Sequence, residues 1–470
     1  MPIFWFDADM QTLRSFLAVA FFIISQTFAC HCFSAEKQKP NIIFINADDL
    51  GYGDLSCYGQ KYFSTPNIDQ LALQGIRFTQ CYAGCTVCAP SRCALLTGYH
   101  SGHGTVRGNG TGKKSLLSAQ DVTVAEVLKN AGYATGMFGK WGLGELDSTG
   151  APKKKGFDEF FGYLDHVEAH VYYPAYLWNN EGKVPLDKAT YSHDLIVSNA
   201  FAFVRRHKSE PFFLYLAVTL PHAGMEVPED SYQPFLGRFP EKTYDSHQSL
   251  YATTDHPLAA FAGMVTRLDR DVGRLLSLLK DLQIDENTIV FFSSDNGPHR
   301  EGGANPEFFN SNGGLRGIKR DLYEGGIRVP MIVRWPKHIK AARISEQVWA
   351  QWDFLPTAAE IARVTSPKGL DGISMLAALL GRRQKNHQFL YWEFHERGFE
   401  QAVRMGSWKA IRHRPAEPLE IYNLGTDLRE ERNVARQNPK VVAKIENYLK
   451  TARTPSADWP IKDKDKMAIK

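Results

Sequence analysis

The densest group of chemically capable residues is GCTVCAPSRCALLTG, residues 84–98, where Cys85, Cys88 and Cys93 crowd around a proline and an arginine. Cys85 and Cys88 have the spacing of a zinc knuckle, and Cys81 and Cys93 could complete four ligands. The same thiols could instead form disulfides or simply pack. Pro90, Arg92 and the apolar residues after them read as a helix start, with Pro90 in its first position and Gly98 past its end. That start puts Cys88 beside a helix N-terminus, which favours anions and oxyanions, and Arg92 adds a positive charge one turn in. A zinc tetrathiolate has no use for those surroundings. The arrangement suits a nucleophile or an oxyanion better.

Other capable residues follow strand-like runs. NIIFIN, residues 41–46, reads as a buried parallel strand, and Asp48 and Asp49 come directly after it. A short strand at 134–138 delivers Lys140; EPFFLYLAVTLPH ends at His222; ENTIVFFSSDNG ends at Asp295 and Asn296. Helical segments such as 263–283 fill the gaps, and the alternation predicts an α/β fold. In open α/β sheets ligands bind outside the carboxyl ends of strands. Four strands that end on charged or oxygen-bearing side chains predict one site assembled there.

The rest of the chain frames this plan. With 470 residues and 43% apolar content there is room for one large domain and a smaller one. After about 385 the pattern changes to short strands with turns (QFLYWEF, AVRMGSWKAIR, PLEIYNLGTD) and a closing helix, an α+β appendage. The expected divisions are a signal segment at 1–35, a catalytic domain at 36–384 and a small antiparallel-sheet domain at 385–470. The apolar run Ser15–Ala29 after Arg14 has the length of a signal-peptide core, so the mature protein is expected to be periplasmic or secreted, with no later membrane span. The net charge of +4 and the lack of any basic-helix, zinc-finger or RNP pattern argue against nucleic acid as a partner. Removal of Cys30 and Cys32 with the signal leaves Cys57, Cys81, Cys85, Cys88 and Cys93. That odd number requires at least one unpaired or chemically special thiol.

CAPSRCALLTG carries the fixed elements of the sulfatase signature, and GYATGMFGKWGLG resembles the second signature of that family. PNIIFINADDLGYGDLSCYG, FFSSDNGPH and GLRGIKRDLYEGGIRVPMIVRWP resemble the arylsulfatase A-like, formylglycine-dependent branch in order and spacing. The resemblance implies an alkaline-phosphatase-like fold, a large central sheet sandwiched by helices with a smaller C-terminal α+β domain. It implies that a separate maturation enzyme oxidises Cys88 to Cα-formylglycine. A hydrated aldehyde carries two hydroxyls on one carbon: one attacks the sulfur of a sulfate ester, and the second drives C–O cleavage of the resulting hemiacetal sulfate. It further implies one divalent ion, Ca2+, held by Asp48, Asp49, Asp295, Asn296 and the residue at Cys88. Arg92, Lys140 and Lys319 correspond to the cations that hold formylglycine and sulfate, and His222 to a general acid at the leaving-group oxygen.

One departure from the pattern is informative. The family often reads G-K-W-H-L-G, with a histidine on the formylglycine hydroxyl, whereas Gly142 stands there in this chain. His166 or His170 are the nearest replacements in sequence. The stretch 160–180 is dense in Tyr, Trp, His and Asp and reads as a loop near the site, so His166, His170, Tyr172 and Trp178 are expected to contact the substrate. That substrate is expected to be a sulfated small molecule or oligosaccharide, with aryl sulfates hydrolysed in vitro. The competing readings are a phosphatase, phosphodiesterase or phosphonate monoester hydrolase on the same fold, and a lectin-like protein without catalysis.

Overall fold

NIIFINA forms β1 (Asn41–Ala47), and all seven of its residues are buried. Ile43, Ile45 and Ala47 join one core cluster, while Ile42 and Phe44 join another. A strand that is apolar on both sides belongs inside a sheet covered on both faces. The computed structural model has that arrangement. β1 pairs in parallel with β7 (Phe212–Ala217) on one side and β8 (Thr288–Ser294) on the other, and β3 (Ala134–Lys140) pairs in parallel with β7. The four chemistry-bearing strands are therefore neighbours, in the order β8-β1-β7-β3.

The sheet has eleven strands. Beyond β8 it continues through antiparallel β9 (Arg328–Arg334) to β2 (Ile76–Tyr82), which pairs with β10 (Arg343–Ser345) and β11 (Trp349–Ala350). Beyond β3 come β4 (Glu159–Tyr163), β5 (Tyr176–Asn179) and β6 (Gly182–Pro185). The segment 160–180, expected to be a loop, joins the sheet at its two ends, while residues 164–175 between β4 and β5 are outside the sheet. Helices α1 (Pro66–Leu73), α4 (Ser192–Arg206) and α5 (Pro257–Asp281) bury their apolar residues in the cluster on one face. Helices α2 (Cys88–Thr97), α3 (Val124–Asn130) and α6 (Phe354–Ile361) do so on the other. The start of α3 is fixed by a capping box: Thr123 accepts from the Glu126 N–H, and the Glu126 side chain accepts from the Thr123 N–H.

A separate antiparallel sheet contains β12 (Leu390–Phe394), β13 (Glu400–Met405), β14 (Trp408–Arg412) and β15 (Glu420–Asn423). Trp392, Phe394, Ala402 and Ile411 pack with Tyr82, Cys85, Val87 and Ala94 of the large layer. Helix α7 (Pro439–Leu449) covers the other face through Ile445 and Leu449. The structure describes residues 1–2, 39–110, 115–248 and 251–462, so the expected signal segment lies outside the described residues except for its first two positions. Among the described residues, no helix is long and apolar enough to cross a membrane.

Glu393 ties these layers together. It is fully buried and takes hydrogen bonds from Arg107 (3.1 Å), Arg453 (2.8 Å) and the Tyr391 hydroxyl (2.9 Å), with His395 at 3.0 Å. Burial alone would raise its carboxyl, but His395, Arg453 and Arg107 outweigh burial and hold it at about 2, against an ordinary 4.5. A depressed carboxylate contributes stability above its unfolded value and loses it as pH falls toward the folded one. The linked stability, on the order of 3 kcal/mol, should therefore disappear between about pH 4.5 and pH 2. Denaturant unfolding from pH 7 to pH 3 should show a steeper acid loss for the parent than for Glu393→Gln. Equal slopes would contradict this account.

Candidate active site

Past Ala47 the chain turns, and its N–H groups bond to both neighbouring strand ends. Asp48 N–H donates to Leu220 O (3.1 Å), Asp49 N–H to Asp295 Oδ1 (3.1 Å) and Leu50 N–H to Ser294 Oγ (2.9 Å). Asp49 has φ 61°, a left-handed conformation that Asp tolerates better than most residues. The turn aims successive carboxylates at different partners. Lys140 Nζ donates to Asp48 Oδ2 at 2.6 Å, and Lys319 Nζ donates to Asp49 Oδ2 at 2.7 Å.

Cys88 is the first residue of α2, so the helix begins two residues earlier than expected and Pro90 sits third in it. The first turn is held by groups far apart in sequence. Ser91 Oγ accepts from Gly84 N–H (3.0 Å) and donates to Gln351 Oε1 (3.0 Å), and Gln351 Nε2 donates to Ser294 O (2.6 Å). Ala89 N–H donates to Asn109 Oδ1 at 3.0 Å. This bracing fixes Cys88 Sγ 3.5 Å from both Asp48 Oδ1 and Lys140 Nζ. One turn later Arg92 donates to Asp295 Oδ2 through Nε (3.0 Å) and Nη2 (2.7 Å), and through Nη1 to Lys140 O (2.8 Å). Lys319 Nζ lies 3.2 Å from His222 Nε2, while His222 Nδ1 lies 2.5 Å from Ala223 O. That pairing leaves Nδ1 as the donor and Nε2 as the acceptor of the neutral ring. The structure thus brings Asp48, Asp49, Cys88, Arg92, Lys140, His222, Asp295, Asn296 and Lys319 into one buried cluster.

Three carboxylates and three cations share this space. Burial raises Asp48, but Lys140 and the other cations outweigh it and hold it well below the usual range. Burial and then the Asp48 charge push Asp295 up to about 7. Burial pulls Lys140 and Lys319 down, yet Asp48 and Asp49 respectively outweigh it, so both ammonium groups stay charged. Burial, then Lys319 and Lys140, drive His222 well below its ordinary value and keep it neutral. Burial pushes the Cys88 thiol up even with Lys140 beside it. An unmodified Cys88 is therefore a protonated thiol and a poor nucleophile.

The residues also fit a hard divalent ion. Asn296 donates through Nδ2 to Asp49 Oδ1 (2.7 Å), which leaves its buried Oδ1 with no hydrogen-bond partner. An orphaned amide oxygen beside crowded carboxylates is an oxygen donor set of the kind that Ca2+ takes. The zinc reading of the cysteine stretch fails. Cys81, Cys85 and Cys93 are free thiols inside apolar clusters, as is the half-buried Cys57 at the edge of one, and no disulfide links any of them.

The candidate substrate contacts divide. His170 stacks on His222 with ring centroids 4.7 Å apart. His166 Cβ lies 3.7 Å from where a side chain on Gly142 would begin, and Gly142 itself has φ 72°. Tyr172 is a correction: it is fully buried, and its hydroxyl donates to Thr219 O and His222 O, both at 2.8 Å, so it supports the His222 turn from below and cannot touch a substrate. Trp178 lies in β5, half-buried, and donates to Glu168. Sequence reasoning missed Glu301, 3.4 Å from Lys319, and His299, which stacks near His222. Both follow closely on DNG at the end of β8, a position that could have drawn attention.

The Sulfatase family model matches residues 40–364, and that of the N-sulphoglucosamine sulphohydrolase C-terminal region matches residues 317–454. The chain belongs to the sulfatase family. It is 31% identical to an N-acetylgalactosamine-6-O-sulfatase of Bacteroides thetaiotaomicron, over 89% of this chain and 94% of that one. It is 33% identical to the N-acetylgalactosamine-6-sulfatase of Canis lupus familiaris, over 85% and 76%. Among solved structures it resembles Ps i-CgsB in complex with k-i-k-neocarrahexaose, with TM-score 0.77 and 29% identity over 91% of this chain and 96% of that one. This sulfatase has the expected alkaline-phosphatase-like plan and is a sulfuric ester hydrolase.

Proposed function

We propose that the protein is an exported sulfatase that removes sulfate from a sulfated carbohydrate through a formylglycine made from Cys88. One observation carries the mechanism: the atom at position 88 sits between an ionised acceptor, Asp48, and a charged donor, Lys140, while the thiol itself is held protonated. Formylglycine at 88 would supply a geminal diol, and Asp48, Asp49, Asp295 and Asn296 would hold Ca2+, which would supply Lewis acidity. Asp48 takes the proton of the attacking hydroxyl. Lys140 and Arg92 hold negative oxygen at the base of the site, and Arg92 keeps Asp295 in place. Lys319 and His222 Nε2 share a proton across 3.2 Å and deliver it to the departing oxygen. The carbohydrate part of the reading draws support from relatives whose names specify N-acetylgalactosamine sulfate and from a similar structure that holds a neocarrahexaose.

The test is a pair of assays on protein made with a formylglycine-generating enzyme. 4-Nitrophenyl sulfate should be hydrolysed much faster than 4-nitrophenyl phosphate, and a panel of sulfated mono- and oligosaccharides should contain better substrates than either. A preference for the phosphate would overturn the reading in favour of a phosphatase or phosphonate hydrolase.

A further inference from the structure

Beyond Lys319 the site is bordered by half-exposed charges that belong to neither signature. Arg320 has φ 73°, uncommon for a bulky side chain, and its N–H donates to Thr86 O at 3.1 Å. With the backbone so turned, Lys319 reaches inward to Asp49 while Arg320 stays partly in solvent. The Arg320 guanidinium lies between two carboxylates, Glu301 at 2.8 Å and Glu396 at 3.2 Å. The other oxygen of Glu301 lies 3.4 Å from Lys319 Nζ and accepts from the Tyr251 hydroxyl at 3.2 Å. Side-chain exposures of 29%, 27% and 24% for Arg320, Glu301 and Glu396 leave all three open to a ligand.

Glu396 comes from the turn between β12 and β13, in the small sheet. Arg397 beside it pairs with Asp321 at 3.2 Å. Two consecutive residues of that turn are thus fastened to the two residues that follow Lys319. Glu396 is thereby tied to the Lys319 segment through Arg320.

We propose that Glu396, together with Glu301, determines which sugar this site accepts: the two carboxylates take hydroxyls of the ring that carries the sulfate and turn away a ring with a second anionic group beside the ester. The inference rests on the sulfatase reading above. Ionised carboxylates only accept, and hydroxyl-to-carboxylate bonds are among the stronger hydrogen bonds. Arg320 is bracketed by both carboxylates, so it positions them and does not serve as a free receptor for another anion. A second sulfate or a uronate at this border would find the Arg320 charge already offset by both carboxylates, with which it would have to compete.

The experiment compares the parent with Glu396→Gln and Glu396→Ala on the 4- and 6-sulfates of galactose and N-acetylgalactosamine, on N-acetylgalactosamine 4,6-disulfate and on 4-nitrophenyl sulfate. For the preferred monosulfate, kcat/KM should fall about tenfold or more beyond any fall with 4-nitrophenyl sulfate, mainly through KM. Glu396→Gln, which keeps the shape and an acceptor for Arg320, should shift the monosulfate-to-disulfate preference about tenfold toward the disulfate. Equal losses on sugar and aryl substrates, or an unchanged preference, would overturn the proposal. So would a parent enzyme that hydrolyses 4-nitrophenyl sulfate and none of the neutral monosulfates. Silence toward every sulfate ester would overturn the sulfatase mechanism and this inference with it.

Discussion

Cys88→Ala should fold like the parent and show no measurable sulfate-ester turnover, a loss on the order of 10^5-fold or more. The substitution removes one sulfur atom at a helix start that is braced by Ser91, Gln351 and Asn109, none of which touches the thiol. Asp48, Asp49, Asp295 and Asn296 all remain, so metal binding should persist. What vanishes is the group proposed to become a geminal diol, and no other side chain in the cluster carries that chemistry. Cys85→Ser makes the matched control. Cys85 Sγ lies 3.4 Å from Glu393 O inside an apolar cluster, and its loss should lower stability somewhat without ending catalysis. Peptide mass spectrometry across residues 81–98 with an aldehyde-reactive probe should find the aldehyde at Cys88 alone. A fully active enzyme with an intact thiol there would end the formylglycine mechanism.

Asp295→Ala should abolish activity and also weaken the fold. Two of the three donating nitrogens of Arg92 converge on Asp295 Oδ2, the third donating to Lys140 O, and Asp295 Oδ1 caps the Asp49 N–H. Removal leaves a buried guanidinium with only the more distant Asp48, 3.4 Å away, and breaking such a pair costs about 3–5 kcal/mol. Asp295→Asn separates the two effects, because the amide keeps the shape and an acceptor for Asp49. It should melt closer to the parent than the alanine variant and remain inactive. Chelation of the parent should silence it reversibly, with activity restored by added Ca2+. Full turnover in protein shown by elemental analysis to be metal-free would refute the metal-dependent reading.

The sequence was most legible where one local rule sufficed. Apolar runs before Asp48, Lys140, His222 and Asp295 marked β1, β3, β7 and β8, because a fully covered parallel strand is continuously apolar and its end carries the polar residues. Their adjacency was not legible, since β1 joins strands that lie far along the chain. The stretch 160–180 was only partly legible: His170 stacks on His222, but not all of its aromatics face outward. Tyr176 and Trp178 alternate along β5 with Lys183 over both rings, at 3.8 and 4.9 Å, and Tyr172 is buried beneath His222. Glu301, Arg320 and Glu396 meet only through turns from three separate segments, and no spacing rule connects residues drawn from two sheets.

The bracing of α2 also sets an order of events during synthesis. β1 and the Cys88 segment emerge early, yet β1 pairs with Phe213 and Phe292, and Ser91 is fastened to Gln351, 260 residues later. Contacts this distant in sequence form slowly. Until residue 351 has been synthesised, the clamp on Ser91 has nothing to close against. Once the clamp closes, position 88 is 2% exposed and shut to any enzyme that must grip the chain around it. If Cys88 is converted as proposed, the length of chain between Ser91 and Gln351 would act as a clock, and a variant that folded faster through this region should accumulate more unconverted thiol.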